Sequence, residues 1–326
     1  MFRLLAAIAA PALLLAAPAI AAQAPAAAAP AVQPDPGTPA PNFSSERIGV
    51  TVMGSGPDVV LIPGLSSTPA VWSTTMAALP GYRYHLIHVS GFAGRPAGAN
   101  ARGNYLVPVA DEIARYIREA RLDRPAVVGH SMGGTWGILV ASRHPELVGK
   151  LMVVDMLPYL GIMFRQQGVT DEQLTTMIDQ MQTMMVNATP EQRRMMASMT
   201  ISQMVNTESQ RQAQIDASLA SDSAVAAQGF TDLLRTNLLE DVGRIRAPLV
   251  VLYVQPSGAP GGPPITAEQI DRAYQLSYRA APQAVIRRVP DAAHFIMFDN
   301  APFFQAQLRE FLTTPGTARP ATPPAQ

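Results

Sequence analysis

Residues 126–134 read Ala-Val-Val-Gly-His-Ser-Met-Gly-Gly, and this stretch decides how the rest of the chain is interpreted. Its first three residues are small or β-branched, which suits a strand buried on both faces of a sheet. Gly129, Ser131 and Gly133 form the pattern G-x-S-x-G, and residues 134–141 continue as an apolar helix. Glycines on both sides of the serine allow a sharp turn in which larger side chains would collide. The stretch therefore predicts a turn that presents the Ser131 hydroxyl to the N-terminal end of a helix.

The segments around this stretch alternate between apolar strands and helices. This alternation is typical of a mostly parallel sheet with helices on both faces. Together with the Gly-His-Ser-Met-Gly-Gly motif, it makes the chain resemble the α/β-hydrolase family from about Val50 to Leu312. The resemblance implies an α/β-hydrolase fold, a nucleophile at Ser131 and an inserted helical cap. Dehalogenases and epoxide hydrolases of that family carry aspartate at this position, so the serine argues against those activities.

Apolar periodicity and the glycines and prolines between periodic segments locate the other elements of the core. Strands are expected at residues 47–53, 58–62, 84–89, 151–154, 249–254 and 284–289. Helices are expected at residues 71–79, 105–120, 134–144, 266–279 and 302–312. The glycine-rich loop at residues 90–96 is expected to form one wall of the active site.

Residues 156–244 interrupt this alternation because they contain no convincing strand. Helices are expected at 171–185, with Thr170 as the N-cap, at 190–204 and at 210–219. The region is therefore predicted to be a helical cap. Methionine adapts to irregular apolar surfaces, so some of the methionines of the cap are candidates to line an apolar substrate, although most are expected to pack in the ordinary way. Nine are noted: Met163, Met177, Met181, Met184, Met185, Met195, Met196, Met199 and Met204.

The two ends of the chain differ in composition from its middle. Arg3, an apolar run with two prolines and the Ala19-Ile20-Ala21 sequence predict a cleaved signal peptide at 1–22, and hence a secreted or periplasmic location. The run is short for a retained membrane span. Residues 23–41 are rich in alanine and proline and predict a disordered linker, and residues 313–326 predict a disordered tail. The α/β core is assigned to 42–155 and 245–312, and the cap to 156–244.

A serine hydroxyl needs a base to remove its proton, and the chain has five histidines. His130 lies inside the nucleophile turn, His85 and His88 lie within a strand, and His144 ends a helix, so these four are interpreted as structural. His294 lies in the loop between the last strand and the closing helix. That is where the α/β-hydrolase family carries its base, which makes His294 the candidate.

The third member of a triad is an acid that orients the imidazole. Most of the family carries it after the strand that corresponds to 249–254, but residues 255–260 contain no carboxylate, and Ser257 stands roughly in that place. A minority of the family places the acid after the preceding strand, where this chain has Asp155. Asp155 is therefore the preferred acid. Glu268 and Asp271 remain alternatives. Asp291 is a less favoured alternative, because it lies only three positions before His294 in the sequence.

The oxyanion that forms during acyl transfer needs two preset N–H donors. The backbone N–H of Met132, directly after the nucleophile, is one candidate. The other is the N–H of Leu65, because Pro63-Gly64-Leu65 resembles the His-Gly-x turn of the family with proline in place of histidine.

Composition limits the partners. The chain of 326 residues has 24 basic and 24 acidic residues, which gives no electrostatic reason to expect nucleic acid. It has no cysteine and no metal-binding or nucleotide-binding motif, so no cofactor is expected. The expected partner is a small ester or acyl substrate, with no stable membrane span after signal cleavage. The oligomeric state is not predicted.

The sequence predicts a serine hydrolase that cleaves a carboxylic ester through an acyl-enzyme intermediate. Three alternatives stay open: an amide or peptide hydrolase of the aminopeptidase type, a cofactor-free haloperoxidase-like enzyme, and a non-catalytic binding protein with the same fold. An aminopeptidase would need carboxylates around the substrate amine, and the cap offers only scattered ones: Asp171, Glu172, Asp179 and Glu191.

Overall fold

Eight strands form one sheet in the order β1-β2-β4-β3-β5-β6-β7-β8. β2 is antiparallel to β1 and β4, and all the other pairs are parallel, so the expected α/β class is confirmed. The strands are β1 (Thr38–Pro39), β2 (Ile48–Gly54), β3 (Asp58–Ile62), β4 (Arg83–Val89), β5 (Ala126–His130), β6 (Lys150–Val154), β7 (Leu249–Tyr253) and β8 (Val285–Arg288).

The computed structural model describes residues 38–40, 43–165, 168–256 and 265–316. The predicted signal peptide, most of the predicted linker, Ser257 and most of the predicted tail lie outside these residues. Thr38–Pro39, within the predicted linker, pairs with residues 51–52 at the edge of the sheet. None of the helices in the described ranges has the length and apolarity needed to cross a membrane.

Both faces of the sheet are buried by helices. Neighbouring residues of one strand face opposite sides, so Val127 belongs to one apolar core with helix residues such as Ile113 and Trp136, whereas Val128 belongs to a second core with Phe304. The described ranges contain these α-helices: α1 (Ser73–Ala78), α2 (Leu106–Glu119), α3 (Met132–Arg143), α4 (Ile162–Arg165), α5 (Asp171–Val186), α6 (Pro190–Met204), α7 (Glu208–Ala220), α8 (Ser223–Arg235), α9 (Ala267–Ser277), α10 (Ile296–Asp299) and α11 (Ala301–Thr313).

The register of the central strands positions the candidate site. His130 of β5 pairs with Val154 of β6, so the residues that follow them, Ser131 and Asp155, leave the sheet side by side. The Ser131 N–H donates to the Val154 carbonyl at 2.8 Å, and the Asp155 N–H donates to the Leu252 carbonyl at 2.7 Å. The carboxyl ends of parallel strands are the usual place for a site in a sheet of this kind.

The cap consists of α4 to α8, inserted between β6 and β7. Thr170 caps α5 as expected: its hydroxyl accepts from the Gln173 N–H while the Gln173 side chain accepts from the Thr170 N–H. α8 was not predicted. Its interior contains Gly229, which normally weakens a helix. Here a Cβ at position 229 would lie 2.0 Å from the Tyr105 hydroxyl, so tertiary packing explains the glycine.

The expectation that residues 90–96 form a wall of the active site is wrong, because none of them lines the cavity described below. This loop instead holds the junction of α7 and α8. The Gly94 N–H donates to the Ala220 carbonyl at 3.0 Å, and the Asp222 N–H donates to the Gly91 carbonyl at 2.8 Å. The Ala93 N–H also donates to the Ser221 hydroxyl at 2.8 Å. The glycine-rich loop therefore anchors the cap to the core.

Candidate active site

Ser131 occupies the sharp turn between β5 and α3, with φ 54° and ψ −126°. Non-glycine residues with positive φ are uncommon, and strain of this kind concentrates at functional sites. The two flanking glycines are required by close backbone approach. A Cβ on Gly129 would lie 2.1 Å from the Gly133 carbonyl oxygen, and a Cβ on Gly133 would lie 2.2 Å from the Ile62 carbonyl oxygen. The turn therefore has the geometry that the sequence pattern predicts.

We expect Gly133→Ala to destabilise the fold by about 3 kcal/mol or more, because backbone atoms must move to admit the methyl group. Gly137→Ala is the matched control in the same helix. There the new Cβ would meet the flexible end of Leu151 at 2.8 Å, and alanine is a better helix former than glycine. Its free energy of unfolding should stay within about 1 kcal/mol of wild type. Urea denaturation checks both, and equal stabilities of the two variants would contradict the packing argument.

His294 and Asp155 meet although they are 139 positions apart in the sequence: His294 Nδ1 lies 2.6 Å from Asp155 Oδ2. A carboxylate accepts hydrogen bonds and does not donate them, so Nδ1 carries the proton. The other ring nitrogen, Nε2, then has a free lone pair in the neutral imidazole. This is the tautomer that a base needs in order to take a proton from a serine hydroxyl.

The second carboxylate oxygen of Asp155 is held by two donors. Asp155 Oδ1 accepts from the Val254 N–H and from the Tyr274 hydroxyl, each at 3.1 Å. Burial, and then the nearby Asp155 charge, raise the pKa of Tyr274 well above its usual value, so this hydroxyl keeps its proton and donates. Tyr274 is itself stacked on Tyr253 at a ring distance of 4.1 Å. Asp155 is therefore fixed on both oxygens.

The other candidate acids lie elsewhere. Asp271 accepts from the Tyr253 hydroxyl at 2.7 Å and from Arg288 Nε at 2.8 Å. Glu268 is exposed in the first turn of α9, and Asp291 is exposed as well. Of the described residues with a carboxylate, only Asp155 both lines the cavity and contacts His294.

His130 packs against His294 and holds its backbone in place. It is fully buried, its Nε2–H donates to the His294 carbonyl at 3.0 Å, and the two rings are 4.6 Å apart. Burial, and then the neighbouring His294, lower the pKa of His130 well below its usual value. His130 therefore stays neutral and positions the backbone of the loop that carries the base. The other three histidines contact other regions: His85 contacts Asp58, His88 contacts the Phe92 carbonyl, and His144 lies near Asp111.

The loop after β3 approaches Ser131 at Gly64. A Cβ at that position would lie 3.0 Å from the Ser131 Cβ, so only glycine lets the loop come this close without displacement. Leu65 follows directly and lines the same cavity as Ser131. Met132 is the first residue of α3, where backbone N–H groups lack a partner within the helix. Met132 thus follows the serine directly, and Leu65 follows the glycine at which the loop after β3 approaches it.

A cavity of about 440 Å³ lies between the core and the cap, and Ser131, Asp155 and His294 all line it. Its size is within the range of small-molecule sites. Most of its other walls are apolar, and they include four of the nine methionines noted in the cap: Met163, Met185, Met196 and Met204. No group of His, Cys, Asp and Glu side chains in the described part of the chain is suited to hold a metal ion.

A sequence model described as "Alpha/beta hydrolase family" matches residues 59–306, which is well over half of the chain. The chain belongs to the alpha/beta hydrolase family. The matched segment contains the serine turn, Asp155, the cap and His294, so the family assignment covers the whole candidate site.

Individual relatives match the chain over shorter stretches than the family model does. RutD of Serratia proteamaculans, named as a candidate carbamate hydrolase, is 33% identical over 111 residues, which is 34% of this chain and 41% of that protein. The pimeloyl-[acyl-carrier protein] methyl ester esterase of Vibrio vulnificus is 30% identical over 129 residues, 39% of this chain and 48% of that protein. The chain thus spans less than half the length of the curated relatives it matches first.

Solved structures agree in fold over a longer range. The esterase EaEST from Exiguobacterium antarcticum covers 82% of this chain and 96% of its own, with a TM-score of 0.67 and 18% identity. At this identity the likeness supports the α/β-hydrolase fold alone.

Proposed function

We propose that this alpha/beta hydrolase cleaves a carboxylic ester through an acyl-enzyme intermediate formed on Ser131. In this proposal His294 takes the Ser131 proton, Asp155 orients and stabilises the imidazolium, and the N–H groups of Leu65 and Met132 bind the oxyanion. Loss of the alcohol leaves the acyl group on Ser131 Oγ, and water activated by His294 then releases the acid. No cofactor takes part in this scheme.

The observation that carries the proposal is the His294–Asp155 contact at 2.6 Å, in the same cavity as a serine held at φ 54°. A binding protein has no use for a strained serine that shares a cavity with an oriented imidazole, so this geometry weighs against a non-catalytic role. The ester bond is favoured because one relative is named as a methyl ester esterase. Asp171, Glu172, Asp179 and Glu191 are not among the described residues that line the cavity, which weakens the aminopeptidase alternative.

Cleavage of a C–N acyl bond is a second candidate, because RutD is named as a candidate carbamate hydrolase. The same serine, base and oxyanion donors serve both reactions. An ester and the amide with the same acyl group distinguish them: faster turnover of the amide would replace the ester proposal.

A fluorophosphonate probe tests the nucleophile, since it reacts with an activated serine. We expect the probe to label Ser131, as located by mass spectrometry of the peptides, and no labelling of Ser131→Ala. We also expect p-nitrophenyl esters to be cleaved with a kcat/KM that rises from acetate to medium-length acyl groups, because most cavity walls are apolar. Labelling at another residue contradicts the assignment of Ser131, and a profile that favours acetate contradicts the apolar acyl site.

We also propose that the protein acts outside the cytoplasm, after residues 1–22 have been removed. This location is proposed because the composition of residues 1–22 is that of a signal peptide. N-terminal sequencing of protein recovered from the cell envelope or the medium tests it, and the sequence should begin after residue 22.

A further inference from the structure

Arg193 is a cation inside the candidate active-site cavity. It is half-buried on α6 and lines the same cavity as Ser131 and His294. Among the described residues of the lining there is no other arginine or lysine, and Asp155 is the one carboxylate. Asp155 is already bound by His294, Val254 and Tyr274, so it does not neutralise Arg193.

The guanidinium of Arg193 has unused hydrogen-bonding capacity. Its Nε is buried and has no hydrogen-bond partner within the described residues, and no ion pair in those ranges involves Arg193. Arg193 as a whole is half-buried, but an N–H that is withdrawn from water and has no acceptor is costly, so this buried Nε needs a reason. An anionic group of a substrate would supply the missing partner.

Among the residues of α6, all of which the structure describes, Arg193 is the one charged residue on the cavity-facing side, and most of the other residues on that side are apolar. Arg193 faces the cavity, whereas the adjacent Arg194 is exposed and Met195 is 58% exposed to solvent. A helix that only packed against the core would place both arginines outward, as it does Arg194. The inward position of Arg193 therefore indicates that its charge serves the cavity.

Arg193 lies far from the reacting end of the cavity. The residues of α6 that line it follow helical spacing along one face: Arg193, Met196, Ala197, Thr200, Ile201 and Met204. Met204 is at the catalytic end, because its carbonyl accepts from the N–H of Phe295, next to His294, at 3.1 Å. Met204 lies eleven positions after Arg193 in the same helix, which is about 16 Å along the axis. Most of the side chains between them are apolar.

We propose that the acyl group of the substrate carries a carboxylate at its far end, bound by Arg193, with an apolar chain lying along α6 to the carbonyl attacked by Ser131. This inference rests on the proposed function for the reacting end alone. A carboxylate suits the site better than a phosphate monoester, because a single arginine balances one negative charge and a phosphate monoester carries nearly two. The planar guanidinium also matches the two oxygens of a carboxylate.

Two esters of equal length test the inference. Monomethyl azelate and methyl nonanoate differ only in the terminal carboxylate. We expect wild-type kcat/KM to be about 10- to 100-fold higher for monomethyl azelate, the range of a charge-assisted hydrogen bond. Arg193→Met should remove this preference, so that the two esters are turned over at similar kcat/KM. Arg194→Met, an exposed neighbour on the same helix, should keep the preference. Equal rates for the two esters with the wild-type enzyme, or loss of the preference in both variants, overturn the inference.

Binding separates this inference from the proposed chemistry. Ser131→Ala protein should bind monomethyl azelate in isothermal titration calorimetry. The double variant Ser131→Ala/Arg193→Met should have a Kd about 10- to 100-fold higher. If binding depends on Arg193 but the wild-type protein cleaves neither ester, the carboxylate site stands and the esterase proposal fails. If esters are cleaved but Kd is unchanged by Arg193→Met, the carboxylate site fails and the esterase proposal stands.

Discussion

Ser131→Ala should abolish ester hydrolysis, with kcat lowered about 10⁶-fold, as expected for loss of the nucleophile of a serine hydrolase. The reason is local to the turn after β5. Alanine keeps the backbone of the turn but has no oxygen to form the acyl-enzyme. The remaining rate should be that of water attacking an ester that is still bound and polarised by the oxyanion donors.

Stopped-flow kinetics with a p-nitrophenyl ester check this prediction. Wild type should release a burst of p-nitrophenol followed by a slower steady rate if deacylation limits turnover, and Ser131→Ala should show neither phase. Ser66→Ala is the matched control, since Ser66 also lines the cavity and also has positive φ, at 57°. Substantial activity in Ser131→Ala with loss in Ser66→Ala would move the nucleophile to the loop after β3.

The elements that a local pattern specifies were predictable from the sequence. β5 and α3 follow from a short apolar run and a glycine-flanked turn, and the start of α5 follows from the Thr170 capping box. α8 was not predicted. Gly229 disfavours a helix there, and the reason for the glycine is its close contact with the Tyr105 hydroxyl, which is distant in sequence. Local chemistry does not encode which side chain a helix will meet across the fold.

Some residues of the candidate site were predictable from the sequence and others were not, for the same reason. Ser131 and His294 could be proposed from their positions relative to strands, and Asp155 from the absence of a carboxylate after β7. Tyr274 and Arg193 could not be proposed, because their importance depends on which side of a helix faces the site. Tyr274 does lie at helical spacing from Ile270 and Tyr278, both buried. That spacing predicts a packed face of α9, but not the hydrogen bond to Asp155.

Asp155→Asn should lower kcat about 10⁴-fold with little loss of stability, as for removal of the acid charge from a serine triad. Asp155 has φ 53°, a conformation that asparagine tolerates well among non-glycine residues, so the backbone need not change. The amide oxygen of the introduced asparagine can still accept from the Val254 N–H and the Tyr274 hydroxyl. Its NH₂ group then faces His294 Nδ1 and donates to it. This moves the proton of the neutral ring to Nε2, where it blocks acceptance of the Ser131 proton.

The steady-state rate and the thermal midpoint of the same preparation separate this effect from misfolding. Glu268→Gln and Asp271→Asn are the controls for the rival acids and should retain wild-type kcat, because neither side chain is hydrogen-bonded to His294. Tyr274→Phe removes one of the two donors to Asp155 Oδ1 and leaves the His294 contact in place. It should therefore cost far less activity than Asp155→Asn. Near-wild-type turnover in Asp155→Asn, together with loss in Glu268→Gln, would assign the acid to α9 and leave the 2.6 Å contact as a structural one.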